Sequence, residues 1–160
     1  MPRRTTSAVA ALGLTAATLT AAALAATGLA SAAPLPVTQL PSSGLQVSGL
    51  VVPGPLFVGV TADSTATPGV TAFTAPATPP VCSSSAAGML VTVDWMNLST
   101  GQRGGFTVKP CPHFNNPTKV RTEATTGSGQ IAFVSWIRGS SYSPNAGQPA
   151  LPGVGTFAAP

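Results

Sequence analysis

The sequence predicts an all-β protein, a small β-sandwich of seven or eight strands, on three observations. After residue 43, about eight short runs rich in Val, Ile, Phe and Thr follow one another, as strands do. The chain contains 17 prolines and 17 glycines, too many for an uninterrupted helix of three turns after residue 32. In the run that begins at Met89, apolar and polar residues alternate with the period of two that a half-buried strand requires.

Turn-forming residues separate the predicted strands, as at Pro53-Gly54-Pro55 and Gly127-Ser128-Gly129. The predicted strands are 44–52, 56–62, 70–74, 89–97, 105–109, 120–124, 130–138 and 154–158. Two stretches, 89–109 and 120–138, each have the layout of a hairpin.

The first 32 residues have the three parts of a secretory signal peptide. Arg3 and Arg4 precede an uncharged run at 8–29, and Ala30-Ser31-Ala32 supplies the small residues that a signal peptidase reads. An uncleaved anchor is the alternative, since the run is long enough to span a bilayer, but Ala and Thr insert weakly. We therefore interpret 1–32 as a cleaved signal peptide, exported by the general secretory or the twin-arginine route.

The rest of the chain is predicted to be a Pro- and Ser-rich extended arm at 33–43 followed by one β-sandwich domain at 44–160. Residues 33–160 contain five Lys and Arg and three Asp and Glu, scattered along the chain. Such scattered cations exclude a nucleic-acid partner. Low charge favours weak self-association, and no transmembrane segment is expected after residue 32.

The first hairpin has one apolar face. Val93 and Trp95 share a face of the first strand, and Phe106 and Val108 share a face of the second. We expect Trp95 opposite Phe106 and Val93 opposite Val108, which makes Thr100-Gly101 a two-residue turn. A longer loop is the alternative.

The strand predicted at 130–138 is apolar on both faces. Such a strand is central in its sheet, or its second face meets another layer or a partner. Trp136 and Arg138 are residue types favoured at binding hot spots, so both are candidate partner-binding residues.

Cys82 and Cys111 are the two cysteines of the chain, and an exported protein usually pairs them. The bridge would clamp the open end of the first hairpin, provided that residues 83–88 fold back; a free thiol is the alternative. The spacing from Cys82 to Trp95 resembles the first half of an immunoglobulin-domain signature, although Cys111 comes too soon for the inter-sheet bridge. The resemblance implies an immunoglobulin-like sandwich as an architecture.

Candidate catalytic residues are few. His113 is the only histidine, and we expect it to be an exposed loop residue, since neither a zinc site nor a nucleophile elbow accompanies it. Asp63 with Asp94 or Glu123 could form a carboxylate pair for glycoside hydrolysis. We expect instead that Lys109 or Arg103 neutralises Asp94 in a solvated ion pair. No catalytic, cofactor or metal site is predicted.

The segment Cys111-Pro112-His113-Phe114 resembles the Cys-Pro reactive loop of secreted subtilisin inhibitors, although those proteins have two bridges. The resemblance implies that loop 110–114 could be presented to a protease, with His113 and Phe114 as candidate partner-binding residues. The composition, rich in Ala, Thr, Gly and Pro and poor in Lys, resembles that of exported actinobacterial proteins.

We therefore expect a secreted, non-enzymatic binding or structural module of the cell envelope or extracellular space. Its partner would be a protein, a polysaccharide or a lipid. The alternatives are a small secreted hydrolase inhibitor and a small hydrolase.

We predict that the exported protein begins at Ala33, because Ala30 and Ala32 occupy the positions that signal peptidase reads. N-terminal sequencing and the intact mass of protein collected from the culture medium would check this. A product that retains Arg3 and Arg4 would indicate an anchor instead.

Overall fold

The computed structural model describes residues 32–160, so nearly all of the predicted signal peptide at 1–32 lies outside the described residues. Within 32–160 the chain forms twelve β-strands and one short helix, α1 (Pro79–Cys82). The all-β prediction is confirmed, and the predicted number of strands is too low. No helix in this range is long and apolar enough to cross a membrane.

The strands form three antiparallel sheets. In chain order they are β1 (Pro34–Leu35), β2 (Thr38–Leu40), β3 (Ser42–Val47), β4 (Pro53–Val58), β5 (Thr61–Ser64), β6 (Val70–Thr74), β7 (Met89–Asn97), β8 (Arg103–Val108), β9 (Arg121–Thr125), β10 (Gly129–Gly139), β11 (Ala150–Leu151) and β12 (Gly153–Ala159). The sheet orders are β1-β5-β6-β9, β2-β12-β10-β7-β8 and β11-β3-β4.

The inward faces of the three sheets share one hydrophobic core. Phe73 of β6 joins the four-stranded sheet to the five-stranded sheet. Its ring stacks on Phe106 of β8 with centroids 4.6 Å apart and meets the edge of Phe157 of β12 at 5.7 Å. Such aromatic pairs add to the free energy gained by burial, so these rings hold the two sheets together.

Strand β10 is central, as predicted. It pairs with β12 on one side and with β7, over nine residues, on the other. Ile131, Phe133 and Ile137 point into the core and are buried. The alternate residues, from Ala132 to Trp136, lie on the outer face and are half-buried.

The predicted register of the first hairpin is wrong by two residues. Val93 lies opposite Phe106, and Trp95 lies opposite Gly104. The turn is the longer loop left open above, because the Asn97 side-chain oxygen accepts the N–H groups of Ser99 and Thr100. Gly104 is needed opposite Trp95, since a Cβ there would lie 2.6 Å from the indole ring.

The second predicted hairpin, 120–138, does not form. Strand β9 pairs with β6, whereas β10 belongs to the five-stranded sheet. Gly127 and Gly129, with φ of 68° and 121°, turn the chain from one sheet to the other. Asn97 anchors this crossing, because its side-chain amide donates to the carbonyl oxygens of Thr126 and Ser128.

Two predicted strand boundaries are wrong near the start of the domain. The run 44–52 ends as a strand at Val47, and the run 56–62 is divided between β4 and β5 of different sheets. The Gln39 side chain makes this division possible, because it both donates to the carbonyl oxygen and accepts from the N–H of Val60. The segment 33–43 is extended, and its residues pair with β5, β12 and β4.

The predicted disulfide between Cys82 and Cys111 is confirmed. Residues 83–88 fold back as required, and Ser85 exchanges two hydrogen bonds with Val47 of β3. A bridge between residues 29 positions apart stabilises the fold by about 3–4 kcal/mol in the chain-entropy description.

We predict that Gly104→Ala lowers the free energy of unfolding by about 1–3 kcal/mol, because the added methyl group overpacks the buried Trp95 ring. Gly54→Ala is the matched control on another strand, where a Cβ meets nothing within 4 Å, and should change stability by less than about 0.5 kcal/mol. Urea unfolding of both variants checks this, and equal midpoints would contradict the packing described here.

Candidate binding site on the five-stranded sheet

The outer face of the five-stranded sheet contains a depression with a volume of about 1060 Å³. Its floor is made by small apolar side chains at the centre of the sheet, Ala132 and Val134 of β10 and Val154 of β12. Longer side chains on the flanking strands, Leu40 of β2, Met96 of β7 and Arg103 of β8, also line it.

The strand register aligns the outer side chains in rows that cross all five strands. One row contains Thr38, Thr156, Ala132, Met96 and Arg103. The next row contains Leu40, Val154, Val134, Asp94 and Gly105. The depression therefore rests on strands that are hydrogen-bonded to one another across its whole width, which makes it preformed.

Apolar side chains of this face meet solvent. Leu40 is 72% exposed and Val154 is 46% exposed, although both lie in paired strands. Scattered exposed apolar residues are ordinary, but contiguous apolar patches on a folded chain usually mark a site of interaction.

The two charged groups of the depression are Asp94 and Arg103, both at its β7–β8 side. The predicted ion pair of Asp94 with Lys109 or Arg103 does not form: the single ion pair within residues 32–160 joins Arg121 to Asp63. The register places Gly105 directly opposite Asp94, with Arg103 a diagonal neighbour on the same face that does not bond to it. The Lys109 amine instead donates to the carbonyl oxygens of Phe114 and Asn116.

Trp136 and Arg138, the candidate residues on β10, are brought together on the same outer face. The Arg138 guanidinium lies 5.3 Å from the centroid of the Trp136 ring, within the range of a cation–π interaction. Trp136 follows Val134 by two residues and lies opposite Thr92 of β7, so it borders the depression.

His113 and Phe114 do not line the depression. His113 is exposed on the loop after the disulfide, as predicted, and Phe114 is half-buried. The Phe114 N–H donates to the carbonyl oxygen of Cys111, which closes loop 110–114 into a turn.

Several residues of the depression were missed by reasoning from sequence. Leu40 and Thr38 were assigned to an arm outside the domain, and Met96 was not singled out. The alternation in 37–40 was the available signal, because Thr38 and Leu40 have the same parity along a strand. Their partner strand, β12, lies more than a hundred residues away in sequence.

The chemistry available in the depression is apolar contact, hydrogen bonding by the hydroxyl groups of Thr38 and Thr156, and one carboxylate and one guanidinium at its side. Across the part of the chain that the structure describes, no group of three or more His, Cys, Asp or Glu residues lies together to hold a metal ion. Comparison with protein-family models, with curated proteins and with solved structures finds no match.

Proposed function

We propose that this chain is a non-enzymatic binding module, exported to the cell envelope or the extracellular space, that holds an apolar ligand on the outer face of its five-stranded sheet. The observation that carries the proposal is the depression of about 1060 Å³ floored by Ala132, Val134 and Val154. Ligand sites in proteins are typically concave and mostly apolar, with a small number of polar groups that orient the ligand. Asp94 and Arg103 would be those groups.

The rigidity of the face supports a binding role. Strand β10 is paired along both edges, and its inner side chains are buried in the core. A preformed site avoids the entropic cost of ordering loops when the ligand binds. Trp136, stacked with Arg138 beside the depression, would extend the contact with the ligand.

Export is supported by the signal-peptide features of 1–32 and by the disulfide, since disulfides persist in oxidising compartments. The proposal includes a processed N-terminus and an immunoglobulin-like arrangement of the sheets. Among the partner classes expected from the sequence, the apolar floor favours a ligand with a hydrocarbon part over a fully hydroxylated polysaccharide.

The alternative functions have less support. A protease binds an inhibitor loop in extended form, whereas loop 110–114 is a closed turn. For a hydrolase, the depression contains Asp94 as its one carboxylate among the described residues, while His113 lies elsewhere. Glycoside hydrolysis uses two carboxylates flanking the bond.

We predict that Val134→Asp weakens binding of the neutral fluorescent probe N-phenyl-1-naphthylamine by about tenfold or more. A carboxylate on the apolar floor must lose its hydration when the probe binds, which opposes binding. Fluorescence titration of the processed protein would check this, with wild type expected to saturate at one probe per chain.

Leu98→Asp is the matched control, because Leu98 is 54% exposed on a loop outside the depression. It should leave the affinity for the probe unchanged. The proposed site is wrong if Val134→Asp retains wild-type affinity while circular dichroism shows the native fold.

A further inference from the structure

A second apolar surface lies on the three-stranded sheet, away from the depression. We call it the apolar hairpin: residues 42–58, comprising β3, the turn 48–52 and β4. Most of the exposed large apolar side chains in residues 32–160 lie on this hairpin or on β11 beside it. They are Leu45, Val47, Leu50, Val51, Val52, Phe57 and Leu151.

The most exposed of these side chains are at the tip. Leu50 is 87% exposed and Val51 is 80% exposed, and Val52 follows them. Two backbone hydrogen bonds form within the turn: the Ser48 N–H donates to the carbonyl oxygen of Val52, and the Ser48 carbonyl oxygen accepts from the N–H of Val51. The tip is therefore a convex apolar surface rather than a groove.

The outer edge of the apolar hairpin lacks hydrogen-bond donors at two positions. Ser48 and Val52 form a hydrogen-bonded pair, and such pairs alternate with non-hydrogen-bonded pairs along β3 and β4. Pro53 and Pro55 lie in non-hydrogen-bonded pairs, so their backbone nitrogens point away from β3. Proline has no N–H to leave unpaired there. The Gln46 side chain donates to the carbonyl oxygen of Pro55, so this edge also has an acceptor satisfied internally.

This edge distinguishes between possible occupants. A peptide or a second copy that added a strand to β4 would find no donors at Pro53 and Pro55. The two prolines therefore disfavour addition of a strand from another protein at this edge. In contact with a lipid layer, the edge of β4 would stay at the level of the hydrated headgroups, where water can pair its remaining polar groups, and only the tip would leave water.

Charge complementarity favours the same occupant. No charged residue occurs between Arg4 and Asp63, so insertion of the apolar hairpin would desolvate no ionised group. Residues 33–160 have five Lys and Arg against three Asp and Glu, and the pair of Asp63 with Arg121 leaves this excess of two positive charges unchanged. A lipid surface with anionic headgroups would attract the chain weakly, through its net charge rather than through a basic patch.

We propose that the apolar hairpin is a membrane-insertion element, whose tip, Leu50-Val51-Val52, enters the apolar layer of a lipid surface that carries anionic headgroups. Its side chains would reach the boundary between headgroups and acyl chains, as those of interfacial segments do. The depression on the five-stranded sheet would stay free for its own ligand.

Co-sedimentation of the processed protein with vesicles of phosphatidylglycerol and phosphatidylcholine tests the proposal. We expect wild type to bind, and Leu50→Asp to lower the partition coefficient by about tenfold or more, because a charge replaces the most exposed apolar side chain. Leu98→Asp, which adds the same charge at another exposed loop, should bind the vesicles at least threefold more tightly than Leu50→Asp does.

Two further measurements separate this proposal from the proposed function. Val134→Asp should bind the vesicles as Leu98→Asp does, since both add one negative charge away from the tip, and Leu50→Asp should bind N-phenyl-1-naphthylamine as wild type does. In a Leu50→Trp variant, the tryptophan emission should shift to the blue on addition of vesicles and be quenched by lipids brominated on their acyl chains.

The proposal is overturned if wild type does not bind these vesicles, or if Leu50→Asp and Leu98→Asp weaken binding equally. It is also overturned if sedimentation without lipid shows a dimer that Leu50→Asp dissociates, because the tip would then be an interface between two copies. Lack of quenching of the Leu50→Trp emission by brominated lipids would likewise exclude insertion.

Discussion

The pairing of β10 with β7 on one side and β12 on the other is the constraint on which the rest of the structure depends. A strand bonded along both edges cannot rotate, and its side chains must alternate between two faces. Burial of Phe133 and Ile137 in the core therefore sends Val134 and Trp136 to the outer face. The candidate binding site is the other side of the strand that organises the core.

The composition explains why apolar surface remains exposed. The chain is 44% hydrophobic and only 6% charged, so there is little charge with which to cover its outer faces. The exposed apolar side chains lie on two surfaces of different shape: a depression over the five-stranded sheet and a convex tip on the apolar hairpin. A concave surface suits a discrete ligand, whereas a convex apolar tip suits a medium that deforms around it.

Reasoning from sequence succeeded where local pattern decides structure. The bounds of β7 follow from alternation in the sequence itself, and the disulfide follows from there being two cysteines in a chain that is predicted to be exported. The register of β7 with β8 was mispredicted because the Asn97 side-chain oxygen accepts from the N–H groups of Ser99 and Thr100, which holds a longer turn than the predicted one. The Asn97 amide also donates to Ser128, a contact across 31 positions that local pattern cannot show. Leu40 was missed because β2 has three residues and exists only through pairing with β12.

The central claim is that the outer face of β10 is open to solvent while its inner face is sealed. Thiol labelling of Val134→Cys and Ser135→Cys tests it most directly, since these neighbours lie on opposite faces and Ser135 is buried. With the native disulfide intact, the account predicts rapid labelling of Val134→Cys, slowed by N-phenyl-1-naphthylamine, and protection of Ser135→Cys until the protein unfolds. Equal labelling of the two variants in the folded protein, or protection of both, would contradict it.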